Sequence, residues 1–246
     1  MASTPLSKLA YQTLQQGKAI AGLAHKELST KLMELVAPEA VPSTEAVPPD
    51  LLKDLRSSMA QLEERDWDEA QQGIYPETQL FDAPWLDWAG RYPQVWLDLP
   101  SMWGRRKERN VKDLPKQTDP SLYPEYYLQN FHHQTDGYLS DHSAELYDLQ
   151  VEILFNGTAD AMRRRVLSPL RRGLNHFIDR SPGSIRVLDI ATGTGRTLQQ
   201  IRAALPHAEL IGTDLSEAYL RQANRWLNSG TNPLVQLIRA NGESLP

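Results

Sequence analysis

The sequence predicts an α/β fold in which a parallel sheet wound by helices follows a largely helical N-terminal region. Three observations carry this. The run Arg186-Val187-Leu188-Asp189-Ile190-Ala191-Thr192-Gly193-Thr194-Gly195-Arg196-Thr197 is a short apolar strand ending in an acid, then a glycine turn, then a helix start. Twenty-five residues after Asp189, Leu210-Ile211-Gly212-Thr213-Asp214 is a second strand ending in an acid. A strand, a glycine loop, a helix and an acid-tipped next strand are how α/β sheets hold adenosine-containing cofactors. Residues 1–65 instead carry two helical patterns around a proline linker.

Thr4-Pro5 is a helix start, a capping residue before proline at the first helical position. Leu6, Leu9, Leu14, Ala21, Ala24, Leu28, Leu32 and Leu35 then recur near helical spacing, so this stripe is expected to dock on the body or on a paired helix. Residues 1–36 form this N-terminal helix, and residues 37–49, with four prolines in thirteen positions, form a stiff linker. Asp50–Arg65 is a second amphipathic helix with Leu51, Leu52, Leu55, Met59 and Leu62 on its apolar face. It opens a helical, aromatic region over residues 50–139. Trp67–Gln117 lacks clear periodicity and interleaves Trp85, Trp88, Trp96 and Trp103 with Pro84, Pro93 and Pro100. That density is either a small packed subdomain or a surface for a protein partner. Arg105-Arg106-Lys107-Glu108-Arg109 is expected to be a solvated loop.

Residues 140–246 hold the α/β part. Ser143–Phe155 and Ala159–Phe177 are expected helices separated by the Asn156-Gly157 stop. The basic residues Arg163, Arg164, Arg165, Arg171 and Arg172 are expected on a solvated face. Leu198–Leu205 and Glu217–Leu227 continue the helices, and Val235–Arg239 is the third strand.

Asp189-x-Ala191-x-Gly193-x-Gly195, the acid Asp214 and the tail Asn241-Gly242-Glu243-Ser244-Leu245-Pro246 fall in order along residues ~140–246. Together they resemble the class I S-adenosylmethionine-dependent methyltransferases, a Rossmann-like fold, and within them the ubiquinone/menaquinone-biosynthesis type with its cyanobacterial and plastid relatives. The resemblance implies S-adenosylmethionine as cofactor. It implies that Asp189 holds the methionine end, that Ala191, Gly193 and Gly195 let the backbone approach, and that Asp214 with Leu215 receives the ribose. Asn241 and Gly242 would meet the adenine edge, Gly242 standing where that family usually has alanine. Asp214 could also cap the following helix, and Asn241 could be a turn residue. A nicotinamide-dependent oxidoreductase is disfavoured, because Leu198 stands where the third fingerprint glycine belongs. The sheet of the resembled family continues beyond its third strand, and this sequence carries only the first three. Strand one would then be an exposed apolar edge. The expected explanation is a piece of a longer polypeptide, ahead of a partner that supplies the other strands or a decayed enzyme kept for binding.

The 246 residues are 40% apolar with a formal net charge of −5, and the mean hydropathy is −0.50. An acidic chain argues against nucleic-acid or anionic-membrane partners. Without cysteine there is no disulfide and no thiolate metal site. No apolar run is long enough to span a membrane and no secretory signal stands out, so a cytoplasmic location is expected. The adjacent His132 and His133 cannot reach one metal from a regular element, so no metal site is expected. One of them is a candidate for a general base. Tyr126, Tyr127 and Tyr138 are candidates to face a substrate. The predicted function is methyl transfer to a small aromatic, quinone-like or isoprenoid acceptor. The alternative is a non-catalytic binding or assembly protein built on a truncated methyltransferase fold, with its partner surface in the Trp-rich stretch 67–117.

Overall fold

A computed structural model describes residues 5–42, 47–131, 134–174, 181–230 and 234–245. The chain divides into two compact units, Met1–Pro84 with Val151–Ile178, and Trp85–Gln150 with Asp179–Pro246.

The first unit is helical. Helix α1 (Pro5–Val36) and helix α2 (Pro49–Gln71) both begin at a proline, whose fixed φ suits a first helical position. Beyond α2, Gly73 adopts φ +70° and the N–H of Ile74 reaches back to the Glu69 carbonyl at 3.0 Å, a Schellman closure. The stretch expected as one helix over Ala159–Phe177 is two, α5 (Ala159–Arg164) and α6 (Leu167–Leu174), and residues 175–177 lie outside the described residues.

The centre of this unit is ionic. Asp66 of α2 is fully buried and accepts hydrogen bonds from Tyr11 of α1 at 2.8 Å, from Tyr75 at 2.7 Å, and from Arg164 at 2.8 and 2.6 Å. Arg165 adds a bond at 2.6 Å. Arg164 is therefore not on a solvated face: it is 2% exposed and also donates to the Gln79 carbonyl at 2.9 Å. Helix α1 turns a polar and small face inward, burying Tyr11, Gln15, Gly22, His25 and Met33. Lys18 pairs with Glu152 at 2.7 Å with both side chains largely buried, and Lys26 donates to Asn156 at 2.7 Å. The leucine stripe expected to dock is exposed, with Leu6 at 76% and Leu35 at 80%.

The second unit contains helix α3 (Trp85–Glu108) where no period was legible. Pro93 and Pro100 lie inside it, yet Trp88, Val95, Leu99 and Trp103 fall on one buried face. Trp96 is half-buried and Trp85 is exposed. The charge run expected as a loop starts in the last turn of this helix, and Arg105 is buried, donating to Thr135 at 2.9 Å. Helix α4 (Asp141–Leu154) joins α3 through Arg91, which holds Asp87 at 2.8 Å and Glu145 at 2.7 Å. Strands β1 (Arg186–Ile190), β2 (Glu209–Asp214) and β3 (Gln236–Arg239) make a parallel sheet in the order β1-β2-β3. The connecting helices are α7 (Arg196–Ala204) and α8 (Glu217–Leu227). The register pairs Asp189 with Gly212 and Asp214 with Arg239, which brings the carboxyl ends of all three strands together. Leu188 and Ile190 of β1 are each 48% exposed. Among the described residues no helix is long and apolar enough to cross a membrane.

Burial alone would raise the Asp66 carboxyl, but the bonds and charge of Arg164, with the Tyr75 and Tyr11 phenols, hold it below the ordinary carboxylate value. A depressed folded-state pKa stabilises the fold above the unfolded value near ~3.9, and that stabilisation is lost as pH falls through the folded value. Asp66→Asn leaves two arginines without their counter-charge and is expected to cost about 3–5 kcal/mol in urea unfolding at neutral pH. The gap between wild type and variant should close as pH drops below ~3.9.

Candidate functional site

The site is built where β1 and β2 end. After β1 the backbone turns through Ala191 at φ +61°, Gly193 at φ +56° and Gly195 at φ +78°. Ala191 pays for a left-handed conformation without being glycine, a strain of the kind that clusters at functional turns. The loop is pinned by the Thr192 N–H on the Thr213 carbonyl at 2.8 Å and the Gly195 N–H on the Thr192 carbonyl at 3.0 Å.

The three glycines here serve different ends. A Cβ on Gly195 would lie 2.8 Å from Leu227 and 3.1 Å from Ala223, so α8 packs directly on it. A Cβ on Gly212 would lie 2.8 Å from Leu198, which is fully buried. The close helix–strand approach that a third fingerprint glycine gives elsewhere comes from the strand side here, and Leu198 fills the space. Among the described residues a Cβ on Gly193 would have only Tyr219 within reach, at 4.0 Å, so their packing leaves that side of the loop open.

Asp214 is 8% exposed and held by backbone. Its Oδ2 accepts the Gly193 N–H at 2.8 Å and its Oδ1 accepts the Ser216 N–H at 2.8 Å. The hydroxyl of Tyr127 donates to Oδ1 at a longer 3.4 Å. Helix α8 is capped by Ser216, whose side chain accepts the Tyr219 N–H, so Asp214 is not its N-cap. Asp189 accepts the Thr192 hydroxyl at 2.7 Å. Burial raises the Asp189 carboxyl and the nearby charge of Asp214 raises it further, against the Thr192 bond.

The third expected element lies close by along the chain. The Ala240 N–H bonds the Asp214 carbonyl at 3.1 Å, and the carbonyl of Leu215 accepts the Arg239 guanidinium at 3.2 Å. Asn241 folds its own turn, its Oδ1 accepting the Glu243 N–H at 3.0 Å. A Cβ on Gly242 would lie 2.7 Å from Ile190 Cγ2, a local reason for glycine where alanine was expected. His132 and His133 lie outside the described residues. Among the described residues no three His, Asp or Glu side chains group to hold a metal.

An aromatic cluster borders Asp214. Tyr127 stacks on Tyr123 at 5.6 Å, and Arg239 sits 5.1 Å over the Tyr123 ring. Phe131 stacks on Tyr138 at 4.8 Å, and Tyr138 meets Tyr147 and Tyr219 edge-on. Tyr126 is half exposed at the margin. Sequence reasoning missed what anchors this cluster. Ser143 and Tyr219 share a buried hydrogen bond at 2.9 Å, and Gln134 donates to both, at 2.6 and 3.1 Å. Thr194 of the loop donates to Asp148 of α4 at 2.8 Å. Burial, followed by the charge of Asp214, pushes the Tyr127 phenol far above its ordinary value. Burial and its neighbour Tyr147 push Tyr138 up to about 12.

This glycine loop, acid and strand order match a known family model. Residues 187–246 match the methyltransferase domain. Over 64 residues the chain is 45% identical to a ubiquinone/menaquinone biosynthesis C-methyltransferase of Syntrophotalea carbinolica, covering 26% of this chain and 27% of that protein. Over 92 residues it is 35% identical to a demethylmenaquinone methyltransferase of Thermotoga maritima, covering 37% of this chain and 36% of that protein. The chain thus spans about a third of the length of these curated relatives. No solved structure matches. The three-stranded parallel sheet is consistent with a partial Rossmann-like methyltransferase fold.

Gly212→Ala should show how tightly β2 is packed against its neighbours. The new methyl would press on Leu198, on Leu237 at 3.0 Å and on Thr192 at 3.1 Å. Urea unfolding is expected to show a loss of about 1–3 kcal/mol.

Proposed function

We propose that this chain binds S-adenosylmethionine at the carboxyl ends of β1 and β2 and serves methyl transfer to a small aromatic, quinone-like or isoprenoid acceptor. The observation that carries the reading is the setting of Asp214. One backbone N–H on each oxygen fixes its carboxylate, and a carboxylate offers about four acceptor sites. The long Tyr127 bond is the one a ribose hydroxyl would replace. The open side of Gly193 leaves room for the cofactor's backbone-facing edge, and Asp189 supplies negative charge for its cationic methionine end. Asn241 and Gly242, one turn past β3, are proposed to meet the adenine.

When bound, the cofactor supplies an electrophilic methyl on a positive sulfur. The protein's part is to hold, orient and keep water away. The rings of Tyr127, Phe131 and Tyr138 form an apolar wall beside Asp214 that suits an aromatic acceptor. Tyr127 and Tyr138 keep their protons at neutral pH, so they can donate hydrogen bonds and are unsuited as bases. If the acceptor must lose a proton, His132 or His133 is the proposed base. The relatives' names, both of menaquinone-type methyltransferases, support a quinone-like acceptor.

Calorimetric titration with S-adenosylmethionine and with S-adenosylhomocysteine tests the reading. Asp214→Ala removes two charge-assisted hydrogen bonds of about 1.5 kcal/mol each and is expected to weaken both ligands about 100-fold. Unchanged affinity would overturn the proposal. Because the Asp189 pKa is raised, S-adenosylmethionine affinity in the wild type should begin to fall on acidification above the ordinary carboxylate value of ~3.9. Asp189→Asn should bind weakly with no such dependence.

A further inference from the structure

Asp214, the acid proposed to receive the cofactor's ribose, is closed off by the chain itself. Its carboxylate carries the Gly193 N–H on Oδ2 and the Ser216 N–H on Oδ1, and the residue is 8% exposed. The Tyr127 hydroxyl lies 3.4 Å from Oδ1. A ribose hydroxyl coming to that oxygen needs the place this phenol holds.

Tyr127 sits on a loop whose two ends are tied together. The Asn130 N–H bonds the Val111 carbonyl at 2.7 Å. Its side chain accepts the Asp113 N–H and donates to the Asp113 carbonyl, both at 2.8 Å. Asn130 is buried, and the Gln129 carbonyl beside it lies where a Cβ on Gly137 would come within 2.5 Å. This is the fixed base. Between Val111 and Gln129 no residue is buried. The loop's own bonds are local: Thr118 N–H to the Pro115 carbonyl, Tyr127 N–H to the Pro124 carbonyl, and the Gln129 side chain to the Tyr126 carbonyl. Such bonds survive if the loop lifts as a unit, and a segment with few buried contacts opens at low free-energy cost.

The far side of the loop grips the sheet through stacked rings. Tyr127 stacks on Tyr123 with the planes 5° apart, and the Arg239 guanidinium lies 5.1 Å over Tyr123. Arg239 is held in turn by Glu217 at 2.6 Å. The grip is therefore one cation–π contact and one long hydrogen bond, the second of them made to the acid itself.

We infer that residues 111–130 form a lid latched by Tyr127 to Asp214, and that the cofactor's ribose releases the latch by taking the place of the phenol on Oδ1. The inference rests on the cofactor reading proposed above. The exchange is favourable because the phenol gives one long bond, whereas a ribose has two neighbouring hydroxyls to offer a carboxylate. Tyr127 is thus a competitor of the nucleoside and not a ligand to it, which fixes the sign of its effect.

Calorimetric titration of the full chain with S-adenosylhomocysteine tests the latch. Tyr127→Phe keeps the ring and its stacking and removes the competing bond. It is expected to tighten binding about three- to tenfold, the worth of one modest hydrogen bond. Adenosine, which carries the ribose without the amino-acid end, should show the same gain. The ligand-free variant should melt no higher than wild type, since it has lost a bond. A gain in affinity without a gain in stability is an outcome that a merely structural role would not produce. Leu122→Ala, exposed on the same loop, should leave affinity as it is. Weaker binding by Tyr127→Phe would make Tyr127 a cofactor ligand and overturn the latch, and so would unchanged affinity. If neither wild type nor variant binds S-adenosylhomocysteine, the cofactor reading itself fails and the latch falls with it.

Discussion

The carboxylate of Asp214 joins three segments of chain: the glycine loop through Gly193, the start of α8 through Ser216, and residues 120–131 through Tyr127. Two of these bonds come from backbone N–H groups, so the local folding of both turns is coupled to one side chain. The left-handed residues of the loop are tolerable because such partners over-determine them. Ser216 then caps α8, and Tyr219, one turn on, is buried in the Ser143–Gln134 network that anchors the aromatic cluster. The site is thus a strand tip whose acid organises the chain around it.

The first unit is organised on the same principle with the opposite balance. Asp66 lies among phenols and guanidiniums with no water-facing surface, and every strong donor around it is protein. A buried charge so surrounded fixes which helices can sit together more than it adds net stability. That accounts for a helix as leucine-rich as α1 burying Tyr11 instead: the hydroxyl is drawn inward by its hydrogen bond to Asp66.

The sheet was legible because strand, acid, glycine turn and second acid are local in sequence, and the register of β1 on β2 follows from a short crossover. The helix over Glu217–Leu227 was equally plain. Helix α3 was not, because Pro93 and Pro100 read as breaks, although Trp88, Val95, Leu99 and Trp103 kept one face. Arg164 and Arg105 looked like surface charge, since their partners Asp66 and Thr135 are 98 and 30 positions away. Of the site, the acids and glycines could be named from their order, while the Ser143–Tyr219–Gln134 anchor depends on tertiary contacts no spacing reveals. Gly212 and Leu198 were seen separately, and only the structure shows that one makes room for the other.

The reach of the Asp66 cluster bears on how the chain comes to be folded during synthesis. Helices α1 and α2 emerge before α5, and the guanidiniums that neutralise Asp66 lie 98 and 99 residues further on. Until residue 165 has left the ribosome, α1 and α2 hold a carboxylate that cannot be buried without its counter-ions. The N-terminal helices must therefore wait, hydrated and loosely associated, while residues 85–150 of the other unit are made. Closing so long a loop is an entropic cost met late, so the first unit should be the slower of the two to reach its native packing.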